Sequence, residues 1–151
     1  MWLTDDQQDL WRAYLAMSGR LQAALNRQLQ RDHGLSLADY DVLVALGEQP
    51  DCRMGELGAH LGWEQSRVSH QLTRMRARGL IERSGSADDR RAAVVTLTAG
   101  GRDALEAAAP GHAELVRSVV FDGMSRTQAE ALNAAAAGMT VIAVPNPHYP
   151  P

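Results

Sequence analysis

Residues 54–83, MGELGAHLGWEQSRVSHQLTRMRARGLIER, hold two helical periods separated by a single glycine–tryptophan step. Met54, Leu57 and Leu61 recur at spacings of three and four, the mark of one buried helix face. This first segment lacks a favourable N-cap residue, and Gly62-Trp63 breaks it. The spacing then predicts a second helix from about Glu64 to Arg78, with Val68, Leu72 and Met75 as its buried stripe. Arg76 and Arg78 in the last turn suit the helix dipole, and Gly79 takes the position just beyond the end. The opposite face carries Gln65, Ser66, Arg67, Ser69, His70, Thr73 and Arg74. An ordinary surface helix is stabilised by pairs of opposite charge along its turns. This one has a single acid, Glu64, in its first turn. Short donors and acceptors flanked by arginines suit the edges of base pairs in a major groove.

Downstream, Leu80 to Arg83 and Ala93 to Thr98 read as two short strands. The loop between them is long for a hairpin and ends in SADDRR, residues 86–91. Two short helices with a tight turn, then a hairpin with a charged tip, describe a winged helix-turn-helix. Residues 65–91 hold seven arginines against Glu82, Asp88 and Asp89, a local charge of +4 in a chain of −3, which leaves −7 elsewhere. Such a segment on an acidic body suits an anionic partner, nucleic acid foremost, or else an ordinary solvated surface with ion pairs.

Upstream, Thr4-Asp5-Asp6-Gln7 is a capping box that opens a long amphipathic helix to about Asp32, closed by Gly34. Leu10, Tyr14, Met17, Leu21 and Leu25 form its stripe, and Trp11 and Leu15 make it broader than one core contact needs. A stripe of that width on a terminal helix faces a partner chain. Ser36 starts the next helix, which Gly47 ends, and Gln49-Pro50-Asp51 is a turn. After Thr98 the helical period returns through Leu105, Ala108, His112, Leu115 and Val119, with a kink or break expected near residue 109 because of Pro110. Ser125 to Gln128 form a further capping box before an alanine-rich helix bearing Leu132, Ala136 and Met139. Residues 145–151, PNPHYPP, read as a loose tail.

Length and composition fit one globular domain: 151 residues, 45% hydrophobic and 22% charged. No apolar run approaches the roughly 20 residues of a membrane span, and the acidic start MWLTDDQQ differs from a signal peptide, so a cytoplasmic protein is expected. Cys52 is the only cysteine, which excludes an internal disulfide, and it reads as an inert thiol. The five histidines show no ligand spacing, so no metal site is expected. Nucleophile motifs and phosphate loops are missing too, which argues against an enzyme and against a cofactor.

The run DDRRAAVVTLTAGGR, residues 88–102, resembles the wing signature of the MarR-type (multiple antibiotic resistance) regulators, at Asp89, Arg91, Leu97, Thr98 and Gly101. Residues 54–83 resemble that family's helix-turn-helix, including the closing Gly79-Leu80-Ile81. The resemblance implies a mainly α fold with a small β-wing: a winged helix-turn-helix over about 36–98, with dimerisation helices over about 4–33 and 99–144. It implies a homodimeric, sequence-specific DNA-binding regulator, most simply a repressor on a near-palindromic operator of double-stranded DNA. Gln65, Ser66, Arg67, Ser69, His70 and Thr73 would face the major groove, while Arg74, Arg83 and Arg90 would hold phosphates. Arg91 would enter the minor groove, where a narrow groove concentrates negative potential, with Asp89 positioning it. Relatives bind small anionic or aromatic effectors, for which Trp11, Tyr14, Tyr40 and His112 are candidate lining residues; core packing is the alternative for each. A winged-helix protein-interaction module, or a constitutive DNA-binding protein without effector, remains the alternative function.

Overall fold

Thr4 opens the first helix by a reciprocal cap: its Oγ1 accepts from Gln7 N at 3.3 Å, and Gln7 Oε1 accepts from Thr4 N at 3.0 Å. This computed structural model describes residues 2–85 and 93–139. Helix α1 (Asp5–His33) runs to Gly34, whose φ of 65° is the left-handed conformation that favours glycine. Its C-terminal part alone enters the core, through Leu25, Gln28 and Leu29. Helix α2 (Leu37–Glu48) starts at Ser36 with a second capping box, closed by Asp39. It buries Tyr40, Val42, Leu43, Ala45 and Leu46 in adjacent turns, the pattern of a helix enclosed on most sides.

Gly47 does not end α2, which continues to Glu48. A Cβ on Gly47 would stand 2.9 Å from Leu105 Cδ2, so the missing side chain serves packing rather than termination. The turn that follows leads through Asp51 into a two-residue strand, β1 (Cys52–Arg53), where the sequence reads only as turn. Two residues carry no periodic signal. Helix α3 (Met54–Leu61) then begins with Arg53 N donating to Glu56 Oε2 at 3.0 Å, and Gly62 ends it with φ 65°. Helix α4 (Gln65–Ala77) is one residue shorter at each end than its period predicts. Val68, Leu72 and Met75 are fully buried, as the stripe requires.

Strands β2 (Ile81–Ser84) and β3 (Val94–Leu97) pair antiparallel, with Ile81 opposite Leu97 and Arg83 opposite Val95. Strand β1 covers the other edge of β3, setting Cys52 against Val95, so the order is β1-β3-β2. That pairing satisfies an edge that would otherwise present bare backbone groups.

Helix α5 (Ala99–Val116) is anchored at its start by Thr98. The Thr98 hydroxyl donates to Gly79 O at 2.6 Å and accepts from Gly101 N at 2.9 Å. A Cβ on Gly101 would fall 1.9 Å from the Leu80 carbonyl oxygen, so that close approach requires glycine. Of the kink or break expected near residue 109, the break does not occur, since α5 is continuous through Pro110. Proline removes one helical hydrogen bond, but packing on both sides of it holds the helix. Ala108 is buried, and a Cβ on Gly111 would meet Gln28 Nε2 at 2.9 Å.

Two compact units divide the chain, residues 1–115 and 116–151. The first has one core, joining Leu29, Leu35, α2, α3, the stripe of α4, Ile81, Val95 and Ala108. The described part of the second contains a π-helical segment, Arg117–Phe121, that the sequence does not announce, and α6 (Arg126–Gly138) with the predicted Ser125–Gln128 capping box. No helix among the described residues is long and apolar enough to cross a membrane.

Candidate nucleic-acid interface

The buried stripe of α4 turns its other face outward. Ser66, Arg67, His70, Thr73 and Arg74 are exposed, while Gln65 and Ser69 are half-buried. Thr73 Oγ1 donates back to Ser69 O at 2.8 Å. Gln65 Nε2 is buried without a hydrogen-bond partner.

A buried carboxylate locks α4 to α2. Asp39 is only 4% exposed, and three donors meet it. Its Oδ1 accepts from Gln71 Nε2 at 2.6 Å, and its Oδ2 accepts from Arg78 Nη1 and from Ser36 N, both at 2.8 Å. Burial would penalise a lone carboxylate heavily; here each acceptor oxygen is used. Arg78 also donates to Gly34 O at 2.8 Å, so it ties α4 to the end of α1. Its dipole-favourable position is thus secondary to a tertiary role. Gln71, 2% exposed, passes the chain on, since Arg74 Nη2 donates to Gln71 Oε1. Sequence reasoning missed Gln71, although positions 68, 71, 72 and 75 share one face and a polar residue among them is a visible signal.

Arg67 behaves differently from its neighbours. Its Cζ lies 4.0 Å from the centroid of the Trp63 ring, a cation–π contact. Both residues line a cavity of about 760 Å³ with Gln22 and Asn26 of α1, Asp41 of α2 and His112 of α5. Such a volume falls in the range of small-molecule sites. Burial raises the Asp41 carboxyl above the ordinary range, while His112 and Arg67 draw it back. For His112, burial depresses the imidazole pKa and Asp41 opposes that. His112 Nδ1 is buried without a hydrogen-bond partner.

Of the candidate effector-lining residues, His112 alone lies among these walls. Tyr40 is buried behind it, with ring centroids 4.3 Å apart. Trp11 and Tyr14 stack on each other at 5.6 Å on the exposed half of α1 and do not join His112. Asp41, Trp63 and Arg67 stand there instead, brought together by tertiary packing that no local pattern encodes.

Arg83 is half-buried on β2 and borders a small cleft with Arg76 and Glu82. The wing residues Asp89, Arg90 and Arg91 lie outside the described residues. Cys52 is 5% exposed in the sheet, and burial raises its thiol pKa, with Glu56 adding to the rise. No cluster of three metal-ligating side chains occurs among the described residues.

Residues 33–92, which span α2 to the wing, match the model of the MarR family. Comparison with curated proteins returns no match. Among solved structures, the chain is 36% identical to a MarR family transcriptional regulator from Streptomyces coelicolor, solved in complex with DNA. That match covers 90% of each chain with a TM-score of 0.82. AbsC, another MarR family transcriptional regulator from the same organism, is 34% identical over 89% of this chain and 92% of its own, with a TM-score of 0.80. BpsR of Bordetella bronchiseptica, whose DNA binding is regulated by 6-hydroxynicotinic acid, is 25% identical over 85% of this chain and 96% of its own, with a TM-score of 0.76. With its helix-turn-helix, its three-stranded wing sheet and these matches along most of its length, the chain belongs to the MarR family of transcriptional regulators.

Proposed function

We propose that this regulator is a homodimeric repressor that occludes a near-palindromic operator and is released by a small anionic or aromatic effector. Helix α4 would lie in the major groove, with Ser66, Ser69, His70, Thr73, Gln65 and Arg67 toward base edges. Arg74, Arg83 and Arg90 would hold phosphates, fixing register without reading sequence. Arg91 would reach the minor groove, with Asp89 steadying it. Two copies would place their reading helices one helical turn apart, about 34 Å.

The observation that carries the reading is the double position of Arg67, exposed on the polar face of α4 and at the same time a wall of the cavity. In this reading Arg67 would exchange its stacking on Trp63 for contact with a base. An anion seated between Arg67 and His112 would hold it back, coupling occupancy of the cavity to DNA affinity. The regulator from Streptomyces coelicolor solved with DNA and the effector-regulated BpsR supply the two halves of the comparison.

Selecting bound sites from random duplexes tests the proposal. The expected consensus is an inverted repeat, bound with an affinity that falls steeply as salt rises. Equal affinity for all duplexes would sink the sequence-specific reading and favour an interaction module. A sharp consensus whose affinity no aromatic carboxylate alters would remove the effector and leave a constitutive binder.

A further inference from the structure

The hydrogen bonds around Asp39 have a direction, and that direction ends at the DNA-facing side of α4. A carboxylate only accepts, so the Gln71 amide must present Nε2 to Asp39 Oδ1, as it does at 2.6 Å. Its carbonyl oxygen is then forced to the other side, where it accepts from Arg74 Nη2. Asp39 cannot turn in response, because Ser36 N and Arg78 Nη1 hold its second oxygen. Asp39 and Gln71 are buried, whereas Arg74 is exposed. A fixed internal polarity therefore sets one fork of an exposed arginine.

We propose that Asp39 and Gln71 are positioning residues that pre-order the Arg74 guanidinium for contact with the nucleic acid backbone. This inference rests on the reading of α4 as the DNA-facing helix. A long arginine side chain loses rotamer freedom when it binds a phosphate, and a side chain ordered beforehand loses less. The two residues touch no DNA in this scheme. Asp39 also holds Ser36 N and Arg78 and so locks α4 to α2, but its effect on duplex affinity would pass through Gln71 and Arg74.

The polarity gives a specific way to break the relay. In Asp39→Asn, the single remaining oxygen is required by Ser36 N and Arg78, so the new NH₂ group faces Gln71. Gln71 must then turn its oxygen inward and its own NH₂ toward Arg74, donor against donor. Gln71→Met removes the relay outright while keeping the length of the side chain.

The test measures duplex affinity for Asp39→Asn and Gln71→Met, each with Arg74 present and with Arg74→Ala. Both variants are expected to weaken binding about threefold to tenfold when Arg74 is present. Both are expected to have almost no effect once Arg74 is alanine. ¹⁵N relaxation of the Arg74 side-chain Nε in the free protein should show an ordered group that becomes mobile in either variant. Equal weakening with and without Arg74 would overturn the relay and make the pair plain scaffold. An Arg74 Nε as mobile in the native protein as in the variants would overturn it as well. Native protein that binds no duplex would defeat the DNA reading itself, a result distinct from intact binding without coupling. Where Gln71→Met fails to melt cooperatively, Asp39→Asn and the relaxation measurement decide the matter.

Discussion

Helices α1 and α4 are both amphipathic, yet they leave opposite things uncovered. In α4 the apolar stripe is wholly buried and the polar face meets solvent. In the N-terminal half of α1, Leu10, Trp11, Tyr14, Leu15 and Met17 are all exposed, Leu10 at 73%. A helix that exposes serine, histidine and arginine is at rest in water and available to an anion. One that exposes five large apolar side chains lacks a surface. Contiguous apolar exposure on this scale marks contact with another protein. Exposed Leu132 and Met139 of the second unit have the same character. The contrast fits the two partners proposed above, nucleic acid for α4 and a second copy of the chain for α1.

The severest way to break this contrast is to charge the covered stripe. Val68→Asp would bury a carboxylate without a partner, and loss of the folded state is expected, on the order of 3 kcal/mol or more. Circular dichroism and thermal melting would show it; a folded Val68→Asp protein would mean that the phase of α4 is wrong. Charging the uncovered stripe should have a different outcome. Leu10→Asp is expected to leave the chain folded but to dissociate the proposed dimer, with sedimentation reporting monomer where the native protein sediments as a dimer. Helical content should persist in the first unit, since residue 10 contributes nothing to its core.

Arg91→Ala sharpens the nucleic-acid side. Its operator affinity should fall by roughly 1–3 kcal/mol with an unchanged melting temperature. A lost melting transition would reassign Arg91 to the structure of the wing.

The smallest effect belongs to the cavity. Burial raises the Asp41 pKa, so charged Asp41 weakens the fold, and its contribution is lost as pH rises through the folded value. Burial lowers that of His112, so its contribution is present above the ordinary histidine range and lost as pH falls toward the folded value. Asp41→Asn should therefore stabilise the protein at pH 7 by under about 1 kcal/mol, since water still reaches the group. The gain should shrink as pH falls through the carboxylate range. In the same variant His112 loses an attractive charge and should titrate at lower pH, which ¹H NMR of its ring protons would report.

Much of this architecture is legible in the sequence because its signals are local. Capping boxes at Thr4, Ser36 and Ser125, left-handed glycines at 34 and 62, and the period of α4 all depend on residues within one or two turns. What escapes is tertiary. Gly47 reads as a terminator but is a packing gap against Leu105. Pro110 reads as a kink or break, yet α5 runs on through it between buried Ala108 and the close approach at Gly111. Asp39 and Arg78 are 39 residues apart in sequence, and only the fold brings them to 2.8 Å. At the candidate site, the polar face of α4 is readable from its spacing. The cavity walls come from four helices and a tryptophan in a loop, and His112 was the one expected member that the packing delivered.

The Thr98 hydroxyl, bonded to Gly79 on one side and Gly101 on the other, sits between the last residue of the reading head and the first turn of α5. With the Leu80 carbonyl seated where a Gly101 side chain would stand, there is no slack between these segments. The end of α4 and the start of α5 are thus tied together through Gly79, Leu80, Thr98 and Gly101. In the proposed dimer on DNA, a tilt of α5 would therefore move α4 with it, and the spacing of the two reading helices would follow the angle of α5.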